Sequence, residues 1–305
     1  MKKNVSVVIP VFNAQEYLNK NILEILKVLE SQKSWNSEIV LVNDGSRDNS
    51  GKICVELAKK NKQIFYVELS KNFGQQAATL AGISKAKFDL IITMDDDGQH
   101  PAGAIPDLLK SMTADVDVVY AVADVEEHSF WRNFLSRTAK NLLKYFLGLQ
   151  SASELSAFRI FKRKLLNDFL EKKKVPVALD VLLHWNTSRI TNISVLMLKR
   201  PQGKSNYNLR KLFRTFLNLI TSYSIRPLRI ASFLGLIGFI FSFIFSVIIF
   251  SEYFFGSITV PGYVSISLLI STLGSLQLLT LGILGEYLGK IHLSNLGKPF
   301  FRIVE

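Results

Sequence analysis

The sequence predicts an α/β fold, a parallel sheet covered by helices, followed by a C-terminal hairpin of two transmembrane helices. Short β-branched runs alternate with amphipathic stretches over residues 1–120, the pattern of strands joined by helical crossovers. Polar turn residues close the strand-like runs, and two long uncharged runs lie beyond residue 229. Taken in order, Val5–Ile9, Ile39–Val42, Ile64–Leu69 and Leu90–Met94 read as strands. Gln15–Leu29, Ser50–Lys60 and Gln75–Lys85 have helical length and periodicity. Pro10 follows the first strand, Asn43-Asp44-Gly45-Ser46 the second, and Asp95-Asp96-Asp97 the fourth. Open α/β sheets bind ligands at the carboxyl ends of their strands, so these three ends outline one cleft. No GxGxxG opens the first βα unit and no P-loop signature occurs, which removes the main support for dinucleotide or P-loop nucleotide binding.

Ile230–Phe250 and Val264–Gly285 carry no charge, and at about 1.5 Å per residue each can cross a hydrocarbon core of roughly 30 Å. Arg226 and Arg229 precede the first run, Lys290, Lys298 and Arg302 follow the second, and the intervening loop holds only Glu252. The positive-inside rule then puts both ends in the cytoplasm. Leu209, Leu212, Phe213, Phe216, Leu217 and Ile220 recur at helical spacing opposite Arg210, Lys211 and Arg214, as in a basic helix lying among headgroups. The N-terminus, MKKNVSVVIP, is too short an apolar stretch for a signal peptide. The expected organisation is a cytoplasmic domain over 1–207 and an interfacial helix region over 208–229. Two transmembrane helices follow within 230–289 (about 230–252 and 264–286), then a cytoplasmic tail over 290–305.

The chain has 305 residues, 48% of them hydrophobic, and a net charge of +12. That apolar fraction excludes a disordered chain. The single cysteine, Cys54, excludes an internal disulfide and a Cys-based zinc site. The basic excess lies partly beside the membrane segment, and no RNA- or DNA-binding motif accompanies it, so nucleic acid is not an expected partner.

The sharpest signal is the acid cluster. In an extended segment Asp95 and Asp97 share one side with Gln99, while Asp96 points the other way. Two carboxylates and an amide oxygen are hard ligands suited to Mg²⁺ or Mn²⁺. A bare DxD is common as a solvated turn, but three adjacent acids after an apolar strand repel one another unless they share a cation. Asp44 could cap the next helix or accept hydrogen bonds from a nucleobase; Asp48 is the simpler cap.

Several segments occur in the order seen in glycosyltransferase family 2: VIPVFN (Val8–Asn13), VNDGS (Val42–Ser46), KNFG (Lys71–Gly74), DDDGQHP (Asp95–Pro101), SAFRIFKR (Ser156–Arg163) and RPQGKSNY (Arg200–Tyr207). The chain resembles that family's polyprenyl-phosphate branch, whose bacterial members also end in two membrane helices. The resemblance implies a GT-A fold, a nucleotide-diphospho-sugar donor (a UDP-sugar foremost), a divalent metal, a polyprenyl phosphate acceptor, and inversion at the anomeric carbon. It assigns Pro10, Phe12 and Asp44 to base and ribose. Asp95, Asp97 and Gln99 fall to the metal and diphosphate, with Asp96 among the donor-binding residues. Arg132 and Arg137 fall to the acceptor phosphate, Ser156 and Arg159 to sugar and phosphates, and Arg200, Ser205 and Tyr207 to a closing loop.

Three positions depart from the family pattern. Ala14 replaces an acid, leaving that contact absent or passed to Glu16. Ala157 replaces an acid before Phe-Arg, which leans toward the aminoarabinose-like members. Asn206 replaces a lysine, with Lys204 nearby.

A phosphate monoester, largely dianionic at neutral pH, can attack without a dedicated base, and Asp97 is the residue nearest such a role. His184 and Trp185 read as packing, and Asp180 as a weak sugar contact. The expected place is a bacterial plasma membrane, catalytic domain in the cytoplasm, with the interfacial helix able to support a homo-oligomer. Two other readings stay open: a processive polysaccharide synthase, although no Arg-Trp pair occurs, and a non-catalytic scaffold that binds nucleotide or lipid.

Overall fold

The computed structural model describes residues 3–32, 34–124, 155–172, 178–198, 262–295 and 299–304, with scattered residues between 228 and 251. Seven strands form one sheet in the order β3-β2-β1-β4-β6-β5-β7. They are β1 (Lys3–Val11), β2 (Trp35–Asn43), β3 (Ile64–Glu68), β4 (Leu90–Thr93), β5 (Val118–Ala123), β6 (Arg159–Lys162) and β7 (Ile190–Val195). Among the described residues the bounded α-helices are α1 (Leu18–Ser31), α2 (Ser50–Lys60), α3 (Gln75–Lys85), α4 (Ile105–Ser111), α5 (Asn167–Lys172), α6 (Leu179–Asn186) and α7 (Tyr263–Asn295).

Both faces of the sheet are covered, which is why Val7–Ile9 of β1 and Ile39–Val42 of β2 are apolar and buried at consecutive positions. Val5, Val7 and Ile9 join one core cluster with Leu18, Ile22, Ile25 and Leu29 of α1, residues spaced four, three and four apart along one stripe. Val8 and Val42 face α3, where a Cβ on Gly82 would come within 2.4 Å of Val8. Only glycine allows that approach. Each aliphatic side chain buried this way contributes about 1.5–3 kcal/mol.

Helix α1 begins at Leu18, three residues later than periodicity predicts. Asn13 is left-handed (φ 53°), and Tyr17 N–H donates to Ala14 O at 3.2 Å, so 14–17 form a turn. Proline in a central strand costs little here. Met94 N–H donates to Val8 O, so Pro10, two residues on, turns the same edge toward β4. That strand has already ended at Thr93.

The sheet is not wholly parallel, as the sequence had suggested. Strand β6 runs antiparallel to both β4 and β5, with Arg159 opposite Thr93 and Tyr120. Entering from the carboxyl end of the parallel strands, β6 delivers its first residues to the cleft.

Two compact units partition the chain. The first holds all seven strands and residues 299–304. Those last residues lie on β3: Ser70 N–H donates to Arg302 O (2.9 Å), Val304 N–H to Glu68 O (2.8 Å), and Leu69 bridges Ile303 antiparallel. The second unit contains α7, a 33-residue helix covering the run expected at 264–286. Among the described residues no helix is long and apolar enough to cross a membrane, so the two expected spans are not established by the structure. Only scattered residues of the first span are described, and the interfacial helix expected over 208–229 lies almost wholly outside the described residues.

Candidate active site

The carboxyl ends of β1, β2 and β4 meet as expected. Phe12, 42% exposed, leaves β1 with its backbone N–H donating to Asp96 Oδ2 at 2.9 Å. Asn21 donates to the Asp96 backbone oxygen at 3.0 Å. Gly98 (φ +71°) is required in this turn, because a Cβ there would lie 2.9 Å from the Asn21 side chain. Asp96 is thus turned toward the β1 loop, but residues 96–97 form a turn rather than the extended segment expected, because β4 ends at Thr93 and Gly98 reverses the chain.

Asp44 sits inside rather than on the cleft surface. It is 2% exposed, and its two oxygens accept the N–H groups of Phe73 (2.7 Å) and Gly74 (2.9 Å). Burial raises its carboxyl above the ordinary range, partly offset by those two bonds. It therefore fastens the loop before α3 rather than presenting a free carboxylate. Asp48 accepts from Ser50 N–H at 2.9 Å and from Gln15 N–H at 3.2 Å. The N-cap of α2 is Asn49, so Asp48 stands one residue before the cap it was expected to be and ties the helix start to the turn after β1.

Asp95 faces inward from the end of β4. Its backbone N–H donates to His100 Nδ1 at 3.0 Å, which leaves the imidazole proton on Nε2. The His100 ring stacks on fully buried Phe158 at 5.2 Å. Its carboxylate Oδ1 accepts from the side-chain amide of Gln75, the first residue of α3. Asp97 is 9% exposed and accepts from Gln99 N–H at 3.1 Å, while the Gln99 carbonyl accepts from Leu198 N–H at 2.9 Å.

Burial first, and mutual repulsion second, act on Asp95 and Asp96. Burial raises Asp95, and the charge of Asp97 adds to it against opposing pulls from His100, Arg159 and Gln75. Asp96 is pushed up to about 7, mainly by burial and further by both neighbours. Among the described residues no three His, Cys, Asp or Glu side chains converge as a metal site. Asp95 and Asp97 therefore offer at most a two-carboxylate donor set. That fits an ion such as Mg²⁺, which takes one or two carboxylates and completes its shell with water and substrate phosphates.

Beside Asp95 opens a polar cavity of about 240 Å³, lined in part by Gln75, Gln76, Ser156, Arg159 and Asp180. Arg159 is 5% exposed, donates from Nε to Thr93 Oγ1 at 3.1 Å, and pairs with the Asp180 carboxylate. Tyr120 O–H donates to the same Asp180 oxygen at 3.0 Å. The backbone carbonyl of Asp180 meets His184 Nδ1 at 2.8 Å, and Gln76 accepts from Leu179 N–H at 3.1 Å, just before it. Ser156 lines the cavity and accepts from Phe158 N–H at 3.2 Å.

Of the residues singled out by sequence, Asp95, Ser156 and Arg159 line the cavity. Asp96, Asp97 and Gln99 follow Asp95 in the same loop and bond to Phe12 or to one another. Pro10 and Asp44 stand at the ends of β1 and β2. Arg132, Arg137, Arg200, Ser205 and Tyr207 lie outside the described residues. Gln75, Thr93 and Tyr120 gave no sequence signal, and Asp180 only a weak one. Each is joined to the site by contacts between distant positions.

The glycosyl transferase family 2 model matches residues 6–173. The "uncharacterized glycosyltransferase sll0501" of Synechocystis is 30% identical over 99% of this chain and 95% of its own length. The undecaprenyl-phosphate 4-deoxy-4-formamido-L-arabinose transferase of Pectobacterium atrosepticum is 31% identical, over 97% and 91% respectively. Among solved structures, the fold is shared with Mycobacterium tuberculosis glucosyl-3-phosphoglycerate synthase in complex with Mn²⁺, UDP-glucose and phosphoglyceric acid (TM-score 0.53, 16% identity, 72% of this chain and 78% of that one). It is shared too with a Pyrobaculum calidifontis mannosyltransferase in complex with GDP-mannose and Mn²⁺ (TM-score 0.54, 16% identity, 74% of this chain and 65% of that one). With this α/β sheet, this cleft and relatives matched along nearly the whole chain, the chain belongs to glycosyl transferase family 2 and is a glycosyltransferase of GT-A fold.

Proposed function

We propose that the enzyme transfers a sugar from a nucleotide-diphospho-sugar, a UDP-sugar first among candidates, to a polyprenyl phosphate, with inversion. The reaction is placed at the cytoplasmic face of a bacterial plasma membrane, where it would supply a lipid-linked sugar for the cell envelope. The observation that carries this reading is the crowding of Asp95, Asp96 and Asp97 beside a polar cavity with Arg159 in its wall. Clustered carboxylates are relieved by a shared cation, and a diphosphate is the ligand that brings anionic oxygens to complete its shell. The name of the Pectobacterium relative supports the lipid phosphate acceptor, and the Mn²⁺ complexes of the fold neighbours support a divalent ion.

Asp95 and Asp97 would hold Mg²⁺ or Mn²⁺, which when bound supplies charge neutralisation for the departing diphosphate. Phe12 offers an exposed ring to the base, Pro10 ends the strand beneath it, and Asp44 holds the loop that borders it. Arg159 sets a guanidinium in the cavity wall with its charge balanced by Asp180. Its ion pair with Asp180, shared with Tyr120, commits that carboxylate to structure, in keeping with an acceptor phosphate that needs no general base. Positioning and electrostatic stabilisation then supply the catalysis. Arg132 and Arg137 suit the acceptor phosphate, because a guanidinium fork binds it bidentately. The membrane assignment is supported by the basic flanks of the two uncharged runs and by Ile270, Leu281 and Leu288 of α7, each more than half exposed.

The test is to incubate purified protein in detergent with undecaprenyl phosphate, Mn²⁺ and a panel of UDP-, GDP- and dTDP-sugars, reading released nucleoside diphosphate. Release that needs lipid, metal and Asp97, and is lost in Asp97→Ala, is the expected result. Nucleotide binding that survives loss of both Asp95 and Asp97, with no release from any donor, would overturn the reading in favour of a scaffold.

A further inference from the structure

Two glutamines open α3, and each reaches a different part of the cavity wall. The amide of Gln75 donates to Asp95 Oδ1, and no described group donates to Asp95 Oδ2. Gln76 accepts from Leu179 N–H at 3.1 Å, which fixes the start of α6 immediately before Asp180. Upstream, the loop leading into α3 is fastened by the bonds of Phe73 and Gly74 to buried Asp44. The first turn of α3 is therefore anchored independently on both sides of Gln75. Asp95 has its backbone anchored too, through His100. Its carboxylate torsion is the remaining freedom, and Gln75 is what restrains it.

The geometry points to Gln75 as a positioning residue for the divalent ion, holding one oxygen of Asp95 so that the other is turned to the cation. This rests on the metal reading of Asp95 and Asp97 given above. Such outer partners orient a ligating carboxylate, and their removal typically costs about 10- to 100-fold in metal affinity. Gln75 is exposed at the first turn of its helix, where losing the amide removes little buried surface, so the fold does not depend on it.

The experiment is a direct titration of Mn²⁺ by electron paramagnetic resonance on the full chain in detergent, with UDP or GDP present. Wild type, Gln75→Leu, Gln75→Met and Asp95→Asn are compared, and each is melted in metal-free buffer. Expected is Mn²⁺ uptake by wild type, its loss in Asp95→Asn, and about 10- to 100-fold weaker uptake in both Gln75 variants at unchanged melting temperature. Equal Mn²⁺ affinity in the Gln75 variants would overturn the inference while leaving the metal site standing. A drop in melting temperature with unchanged affinity would do the same, making the bond structural. Absence of uptake by wild type with either nucleotide would overturn the metal reading and this inference together.

Discussion

Arg159 owes its place to one carboxylate. It is 5% exposed and pairs with Asp180, whose side chain is 20% exposed. A guanidinium cannot shed its proton in compensation when its partner is removed. Asp180→Ala is expected to cost toward the low end of about 3–5 kcal/mol, since the adjoining cavity lets water reach the orphaned charge. Asp180→Asn, which keeps an acceptor for Tyr120, is expected to cost less. Thermal melts of the two variants beside wild type measure both, and a fall in Asp180→Ala no larger than in Asp180→Asn would count against the ion pair as a structural strut. Sequence singled out Arg159 through the family resemblance and Asp180 only weakly, but not their pairing, because the Arg159 bonds join positions 66 and 21 apart. The acid triplet, by contrast, is contiguous and announces itself.

Three strands at the far side of the sheet are tied by one acid. Asp117, immediately before β5, accepts from Lys162 of β6 (2.8 Å), and from Arg189 (2.8 Å) and Thr187 (2.9 Å) beside β7. Burial alone would raise its carboxyl, but these three donors outweigh it and bring it down to about 2. Because the folded value lies below the unfolded one, the stabilisation is present above about pH 4 and is lost as pH falls toward 2. Asp117→Asn is therefore expected to lower the melting temperature at pH 7 and to flatten the acid limb of the stability curve between pH 4 and 2. An unchanged acid limb would contradict the assignment. Strands β1 to β4 and helices α1 to α3 were readable because each carries its own periodicity, although the turn at 14–17 displaced one helix start. Antiparallel β6 was not readable, since four residues cannot encode direction. What sets it is the pairing of Arg159 and Phe161 with both neighbours.

At the scale of the whole chain, the last residues are bonded to the edge of the first unit's sheet, at Glu68, Leu69 and Ser70. The polypeptide leaves that unit, runs through α7, and comes home to it before it ends. A path that starts and finishes on one body can pierce a bilayer only an even number of times, and this parity is independent of any hydropathy threshold or count of basic flanks. Reporters fused to Met1 and to Glu305 must therefore report the same compartment. Opposite compartments would mean that the bridge of Ile303 to Leu69, with the flanking bonds of Arg302 and Val304, is not formed.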